Sequence, residues 1–185
     1  MGKNTIVKDT LTLLAITLIA GLLLGQVYSI TKEPIAAQAE KAKQEAYAKV
    51  YPGGEFTLDD ALNTALESFT ADDKDARITE VMVANGGEGY VFSCQASGYG
   101  GAVKLAIGVT SDSTITGLSV LSMSETPGLG AKCQDASFQE QFTGIQSEKL
   151  VINEDFKQIS GATITSGAVT RAVNATLKFV AENAK

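Results

Sequence analysis

Apolar positions follow three successive rhythms along this chain. The first is a block: from Thr10 to Ile30 the sequence reads TLTLLAITLIAGLLLGQVYSI without a single charge. Roughly 20 such residues are what a helix needs to cross the hydrocarbon core of a membrane. The block is longer than the roughly 7–15 apolar residues of a cleaved export signal. Ala37-Gln38-Ala39, which resembles a cleavage site, lies too far beyond it. The pattern therefore predicts an uncleaved transmembrane helix.

The second rhythm is helical. Residues 32–50 are mostly Ala, Lys, Glu and Gln, with Pro34 suited to a first turn. This segment either begins a new helix or carries the membrane helix outward as a stalk, and Pro52-Gly53-Gly54 ends it. Leu58, Ala61, Leu62, Ala65, Leu66 and Phe69 recur at helical spacing and predict a helix over 58–69. Asp72-Asp73-Lys74-Asp75 reads as a solvated loop.

The third rhythm has a period of two. Ile78–Val83, Tyr90–Ala96, Val103–Val109 and Ile115–Leu121 are short β-rich runs separated by Gly, Asn, Asp and Ser clusters. Four such strands in succession predict an antiparallel meander. A last helix is expected over 166–182, with Val169, Ala172, Val173, Thr176, Leu177 and Val180 on one face. Helices flanking an antiparallel sheet make the fold class α+β, with an N-terminal transmembrane helix before a single domain.

Charge and composition narrow the function. Lys3 and Lys8 precede the apolar block, whereas Lys32-Glu33 follows it as a neutral pair. A short basic tail stays in the cytoplasm. The expected division is a cytoplasmic tail over 1–9, a transmembrane helix over 10–30, a helical stalk and linker over 31–75, and an extracytoplasmic domain over 76–185. Gly21 and Gly25 stand at the spacing of a helix-packing motif, although ordinary helix composition explains them equally simply.

A net charge of −6 with no long basic run argues against a nucleic-acid partner. The chain has no histidine, which excludes Ser-His-Asp and Cys-His catalysis and His-ligated zinc or haem. Cys94 and Cys133 are its only cysteines, too few to hold an iron–sulfur cluster or structural zinc alone, so no metal site is expected. They fit a disulfide, two buried thiols, or a site shared with another protein of an assembly. If the chain does redox chemistry, an organic cofactor is the natural carrier.

Ser160-Gly161-Ala162-Thr163-Ile164-Thr165-Ser166 arrives at the start of the last helix with four hydroxyls. Exposed N–H groups and the positive end of the helix dipole favour a phosphate at such a place. The simpler reading is that Thr165 or Ser166 caps the helix. Gly98-Tyr99-Gly100-Gly101 fits either a plain hairpin turn or a loop whose backbone lies close to a flat ring. In Glu125-Thr126-Pro127-Gly128-Leu129-Gly130, Pro127-Gly128 suits the centre of a type II turn. Glu125 could equally anchor that turn or touch a ligand.

Ser160-Gly161-Ala162-Thr163 followed by Ile-Thr-Ser resembles the flavinylation motif of the FMN-binding domain family. That domain is shared by the G subunits of Rnf ion-translocating oxidoreductase complexes and the C subunits of sodium-pumping NADH:quinone oxidoreductases. The GYGG and ETPGLG segments resemble that family too, in the same order and at similar spacing, so the likeness covers nearly the whole chain. It implies an FMN esterified through its phosphate to Thr163 by a dedicated flavin transferase. Ser160, Gly161, Ala162, Thr165, Glu125, Thr126, Gly128, Leu129, Gly130, Tyr99 and Gly100 would form the surrounding cofactor-binding set.

The likeness further implies a non-autonomous redox subunit in the cell (inner) membrane, within a multi-subunit complex. That complex moves electrons between ferredoxin and NAD and couples them to Na⁺ or H⁺ translocation. Chain length favours the Rnf protein over its usually longer quinone-oxidoreductase counterpart. A freestanding extracytoplasmic flavoprotein would need a second catalytic domain, and a non-redox assembly module would leave the three motifs unexplained. Two departures stand out. Lys157 occupies the place where the family often has an acidic residue, with Asp155 nearby but out of register, and Met123-Ser124 stands where it often has a histidine.

Overall fold

The computed structural model describes residues 3–183, and the chain falls into two compact units, residues 1–42 and 43–185. The first unit is most of one long helix, α1 (Lys3–Val50). Its apolar side chains stand outward all round: Leu11, Leu14, Leu18 and Leu22 are each more than half exposed. By length and composition α1 is able to cross a membrane. Pro34 lies inside α1 rather than opening a new helix, so residues 32–50 continue the preceding one. A proline removes one backbone N–H and usually kinks or breaks a helix, but here strong helix formers on both sides carry it through.

The second unit is built on a five-stranded antiparallel sheet whose order in space is its order in sequence. Its strands are β1 (Phe56–Leu58), β2 (Ala76–Ala84), β3 (Gly89–Ser97), β4 (Ala102–Thr110) and β5 (Ile115–Ser122). The meander is as expected, with one strand more. β1 pairs Phe56, Thr57 and Leu58 with Ala84, Val83 and Met82 at the end of β2. Leu58, counted above on a helical face, therefore belongs to a strand. The cause is Asp59: it sits in extended conformation and accepts the Leu62 N–H, so helix α2 begins only at Asp60 and runs to Ser68.

Both faces of the sheet are covered. On one lies the long helix α4 (Thr163–Asn183). Phe179 meets Phe92 of β3 and Phe69 after α2 edge to face, with ring centres 5.8 and 5.2 Å apart. Short helix α3 (Ala136–Gln139) brings Phe138 into a cluster with Phe142 and Phe156 at the border of the same core.

On the opposite face, the last turns of α1 lay Ala46, Tyr47 and Val50 against Val91 and Ala106. There Tyr47 hydrogen-bonds Glu80 and Ser93, each at 2.7 Å, Lys43 pairs with Glu80, and Thr116 donates to the Val50 carbonyl at 2.6 Å. These contacts explain why β3 is buried on both faces of the sheet, with only Gln95 and Ser97 reaching solvent.

Candidate functional site

Three segments far apart in sequence meet beside the start of α4. The first is the β3–β4 connection. Ser97 and Ala102 close the ladder, and the Gly98 N–H donates to the Gly101 carbonyl at 2.8 Å. Gly98–Gly101 is thus the tip of a hairpin, with Tyr99 pointing out, 72% exposed.

The second segment follows β5. The Leu129 N–H donates to Thr126 C=O at 3.1 Å across Pro127-Gly128, and Gly128 has φ 76°. This is the type II turn the sequence predicts, with glycine where positive φ is required. A short 3₁₀ turn over Gly130–Gln134 follows.

The third segment leads into α4. Ala162 donates to Ile159 C=O at 3.0 Å, making Ser160 and Gly161 the centre of a tight turn. The first helical bond runs from Ser166 N–H to Ala162 C=O. Helix α4 therefore starts at Thr163, three residues before the expected Ser166.

This earlier start overturns the capping reading of Thr165 and Ser166, which both lie inside the helix. The Ser166 hydroxyl instead faces back: it accepts the Ile159 N–H at 3.0 Å and donates to Ala162 C=O at 3.1 Å, fastening the turn to the helix. The Thr165 hydroxyl donates to Glu125 Oε2 at 2.5 Å. The N–H groups of Thr163, Ile164 and Thr165 precede the first helical bond and have no acceptor within α4. The Thr163 side chain is exposed and, among the described residues, its hydroxyl makes no hydrogen bond.

Glu125 joins the three segments. It is buried, receives Gly100 N–H on Oε1 at 3.0 Å and the Thr165 hydroxyl on Oε2, and so ties the hairpin tip to α4. Of the two roles open to it from sequence, the anchoring one is realised. Gly130 is glycine for this reason: a Cβ there would run into the Glu125 carboxylate and the Thr165 hydroxyl.

The segments enclose an open pocket of about 570 Å³, lined by Tyr99, Glu125, Thr126, Leu129, Gly130, Gly161, Ala162, Thr163, Ile164 and Thr165. That volume lies within the usual range for small-molecule sites. Nine of the twelve residues expected at a site are on its wall. Ser160 is exposed in the adjoining turn, Gly128 shapes the type II turn, and Gly100 acts through Glu125. Ile164 was not anticipated. It is 53% exposed on the first turn of α4 and, with Tyr99 and Leu129 at 45%, gives the pocket an apolar rim. The signal available was its place between two hydroxyl residues, which reads as helix interior until the helix start is known.

The two cysteines are free and buried. Cys133 donates to the Met123 sulfur at 3.6 Å, and burial, with the nearby Glu125 charge, pushes its thiol up to about 11. Cys94 lies against Thr176 of α4 at 3.2 Å, and complete burial pushes it up to about 12. Both are therefore neutral packing groups at ordinary pH. No metal-ligating cluster of acidic, Cys or His side chains occurs among the described residues.

The arrangement has two chemically distinct ends. Free amides, the positive pole of a 21-residue helix and an unbonded hydroxyl are chemically suited to an anion. Exposed Tyr, Leu and Ile side chains receive a flat apolar group. The class so defined is an α+β domain with an open pocket at the start of its last helix, polar at one end and apolar at the other.

Comparison with known families agrees: residues 98–178 match the FMN-binding domain and residues 1–50 match the RnfG N-terminal region. The chain belongs to the RnfG family. It is 31% identical over 184 residues to the G subunit of the proton-translocating ferredoxin:NAD(+) oxidoreductase complex of Clostridium ljungdahlii, covering 96% of this chain and 93% of that one. It is 30% identical to the G subunit of the ion-translocating oxidoreductase complex of Methanosarcina acetivorans, covering 96% of each. Among solved structures, the C subunit of the Na(+)-translocating NADH-quinone reductase from Parabacteroides distasonis is 30% identical, with a TM-score of 0.43, over 54% of this chain and 61% of that one.

Proposed function

We propose that this chain is the electron-transfer subunit of an ion-translocating ferredoxin:NAD oxidoreductase, with an FMN joined through its phosphate to the Thr163 hydroxyl. The observation that carries this reading is the pocket: it gathers three separated motif segments around an exposed, unbonded Thr163 at a helix start. When bound, FMN supplies one- and two-electron redox chemistry that none of the side chains here provides.

The residues divide that work. The free amides of Thr163, Ile164 and Thr165 and the dipole of α4 hold the phosphate. Tyr99, Leu129 and Ile164 cover the ring. Glu125 stays beneath the pocket as the brace between hairpin and helix. Gly161 lets the backbone pass close to the ligand, Gly130 makes room for the Glu125–Thr165 contact, and Gly128 forms the turn. Thr126 and Ala162 line the pocket, Ser160 lies in the adjoining turn, and Gly100 acts through Glu125.

Attachment requires a flavin transferase and an activated flavin nucleotide. Thr163 Oγ1 would take the new O–P bond, the donor's own P–O bond breaking toward its leaving nucleotide and the Thr163 proton passing to solvent. A tether of this kind prevents cofactor loss outside the cytoplasm. It fits a topology with residues 1–9 inside, 10–30 across the membrane, 31–75 as stalk and linker, and 76–185 outside. The match of residues 1–50 to the RnfG N-terminal region favours this complex over the sodium-pumping quinone oxidoreductase.

In-gel ultraviolet fluorescence after denaturing electrophoresis tests the central claim. Co-expressed with a flavin transferase, the native chain should give a bright band and Thr163→Ala a dark one. A dark native band, under conditions that flavinylate a control protein, would overturn it.

A further inference from the structure

Arg171 belongs to none of the three motif segments, yet it fastens one of them. Its Nη2 donates to the Ser97 carbonyl at 2.7 Å, immediately before the Gly98–Gly101 tip. Its Nε faces Asp73 Oδ2 at 3.5 Å, buried and without a hydrogen bond, so that contact is Coulombic. Asp73 is itself fixed, because its other oxygen accepts the Asp75 N–H at 2.8 Å. Asp75 in turn accepts the Ser97 N–H at 2.9 Å. On the helix side Gly167 makes room: a Cβ there would stand 3.2 Å from Arg171 Nη1. The guanidinium thus lies back over the preceding turn of α4, the direction helical side chains take.

Two ties therefore bracket Tyr99. One runs from the Ser97 carbonyl to Arg171; the other runs from the Gly100 amide through Glu125 to Thr165. Both end on α4, the helix that opens at Thr163. A tip with three glycines in four residues has little stiffness of its own. Its only side chain stands 72% exposed on the pocket wall. A planar guanidinium with fixed donors suits the Ser97 end better than a flexible ammonium.

We infer that Arg171 is a positioning residue for the flavin: it clamps the Ser97 end of the tip to α4 and thereby holds Tyr99 over the bound ring. This rests on the flavin reading above. Losing a charge-assisted hydrogen bond shifts such a loop equilibrium on the order of tenfold toward the open form.

The test is time-resolved flavin emission from the full chain in detergent, loaded by a co-expressed transferase. A phenol against the ring shortens the excited state. Native protein should show mainly the short lifetime, Arg171→Met a severalfold larger long-lived fraction, and Arg171→Lys a value between them. In a Tyr99→Phe background Arg171→Met should add nothing. The proposal is overturned if loaded Arg171→Met keeps the native lifetimes, or if its effect persists undiminished with Tyr99→Phe.

A flavin-free arm separates the two ideas. The chain has no tryptophan, so Tyr99→Trp is a single reporter whose anisotropy should fall when Arg171→Met is added to the unloaded chain. A native chain that takes no flavin while the reporter still loosens would sink the flavin reading, and Arg171's role toward a ring with it, leaving only the tie. An unchanged reporter overturns the tie as well. Melting temperatures within a few degrees of native show that the variants fold.

Discussion

Helices α1 and α4 are both rich in apolar residues and bury them in opposite ways. Along α1, Leu11, Leu14, Leu18, Ile19 and Leu22 all stand more than half exposed. Along α4, Val169, Val173, Leu177, Phe179 and Val180 are essentially inaccessible. An apolar helix surface is stable only where something other than water meets it. α4 finds that partner in the sheet, whereas the outward-facing half of α1 requires lipid or neighbouring helices. The polar residues divide likewise. Thr10, Thr12, Thr17 and Ser29 of α1 hydrogen-bond carbonyls of their own helix. Thr165, Ser166 and Thr176 of α4 reach other segments. The apolar stretch of α1 is self-contained and anchors; the last turns of α1, like α4, are tied to the sheet.

The largest expected effect comes from making the same kind of truncation on each helix. Phe179→Ala removes a buried ring at the junction with Phe69 and Phe92 and should cost about 3–5 kcal/mol. That is roughly 10 °C in melting temperature for a domain of this size. Leu18→Ala should leave the same transition within about a degree, since Leu18 is 58% exposed and contributes nothing to the core. Thermal melts followed by tyrosine near-ultraviolet dichroism in detergent make the comparison. Equal shifts would break the contrast between the helices.

A charge reverses the ranking. Leu18→Arg places a guanidinium mid-span and should disfavour insertion by about 3 kcal/mol. The fraction of protein retained by alkali-washed membranes should fall, while the melting of the domain stays put. Retention equal to native would mean that residues 10–30 do not span a bilayer.

Glu125 sharpens the connected side of the contrast. Glu125→Ala leaves the Gly100 N–H and the Thr165 hydroxyl without their acceptor and should cost about 1–3 kcal/mol. Glu125→Gln keeps one acceptor oxygen and should cost less. Proteolysis at the Gly98–Gly101 tip reports the loosening directly. A tip as resistant in Glu125→Ala as in the native chain would deny Glu125 its bracing role.

What the sequence made legible follows from the same difference. Block, helical and alternating rhythms are local signals, and they located α1, four of the five strands and most of α4. Segments whose state depends on a single polar contact were misread. Leu58 fitted a helical face until Asp59 capped α2 and released it to β1. Thr165 and Ser166 looked like caps because hydroxyls near a helix start usually are. Their real partners, Glu125 and Ile159, are set by tertiary packing. Most of the pocket wall was legible as motif segments. Ile164 and Arg171 were not, because one is an exposed apolar residue and the other acts from two turns downstream.

The smallest effect concerns the contact between Cys94 and α4. Complete burial raises this thiol from 9.0 to about 12, against only a partial offset from Thr176. A group protonated more tightly in the folded state contributes its full stability below the unfolded value, near 9, and loses it as pH rises toward 12. At pH 10 the loss from this one group should be on the order of 1 kcal/mol. Cys94→Ala removes the titrating atom while leaving a small cavity, so its deficit against native protein, measured by denaturant at pH 7, should shrink at pH 10. The effect should appear in the sheet–α4 transition and not in the helical signal of α1, which contains no cysteine. A deficit unchanged between the two pH values would mean that Cys94 stays protonated on unfolding, or that the thiol meets water already in the folded domain. The second result would show the packing of α4 on β3 to be looser than its contacts imply.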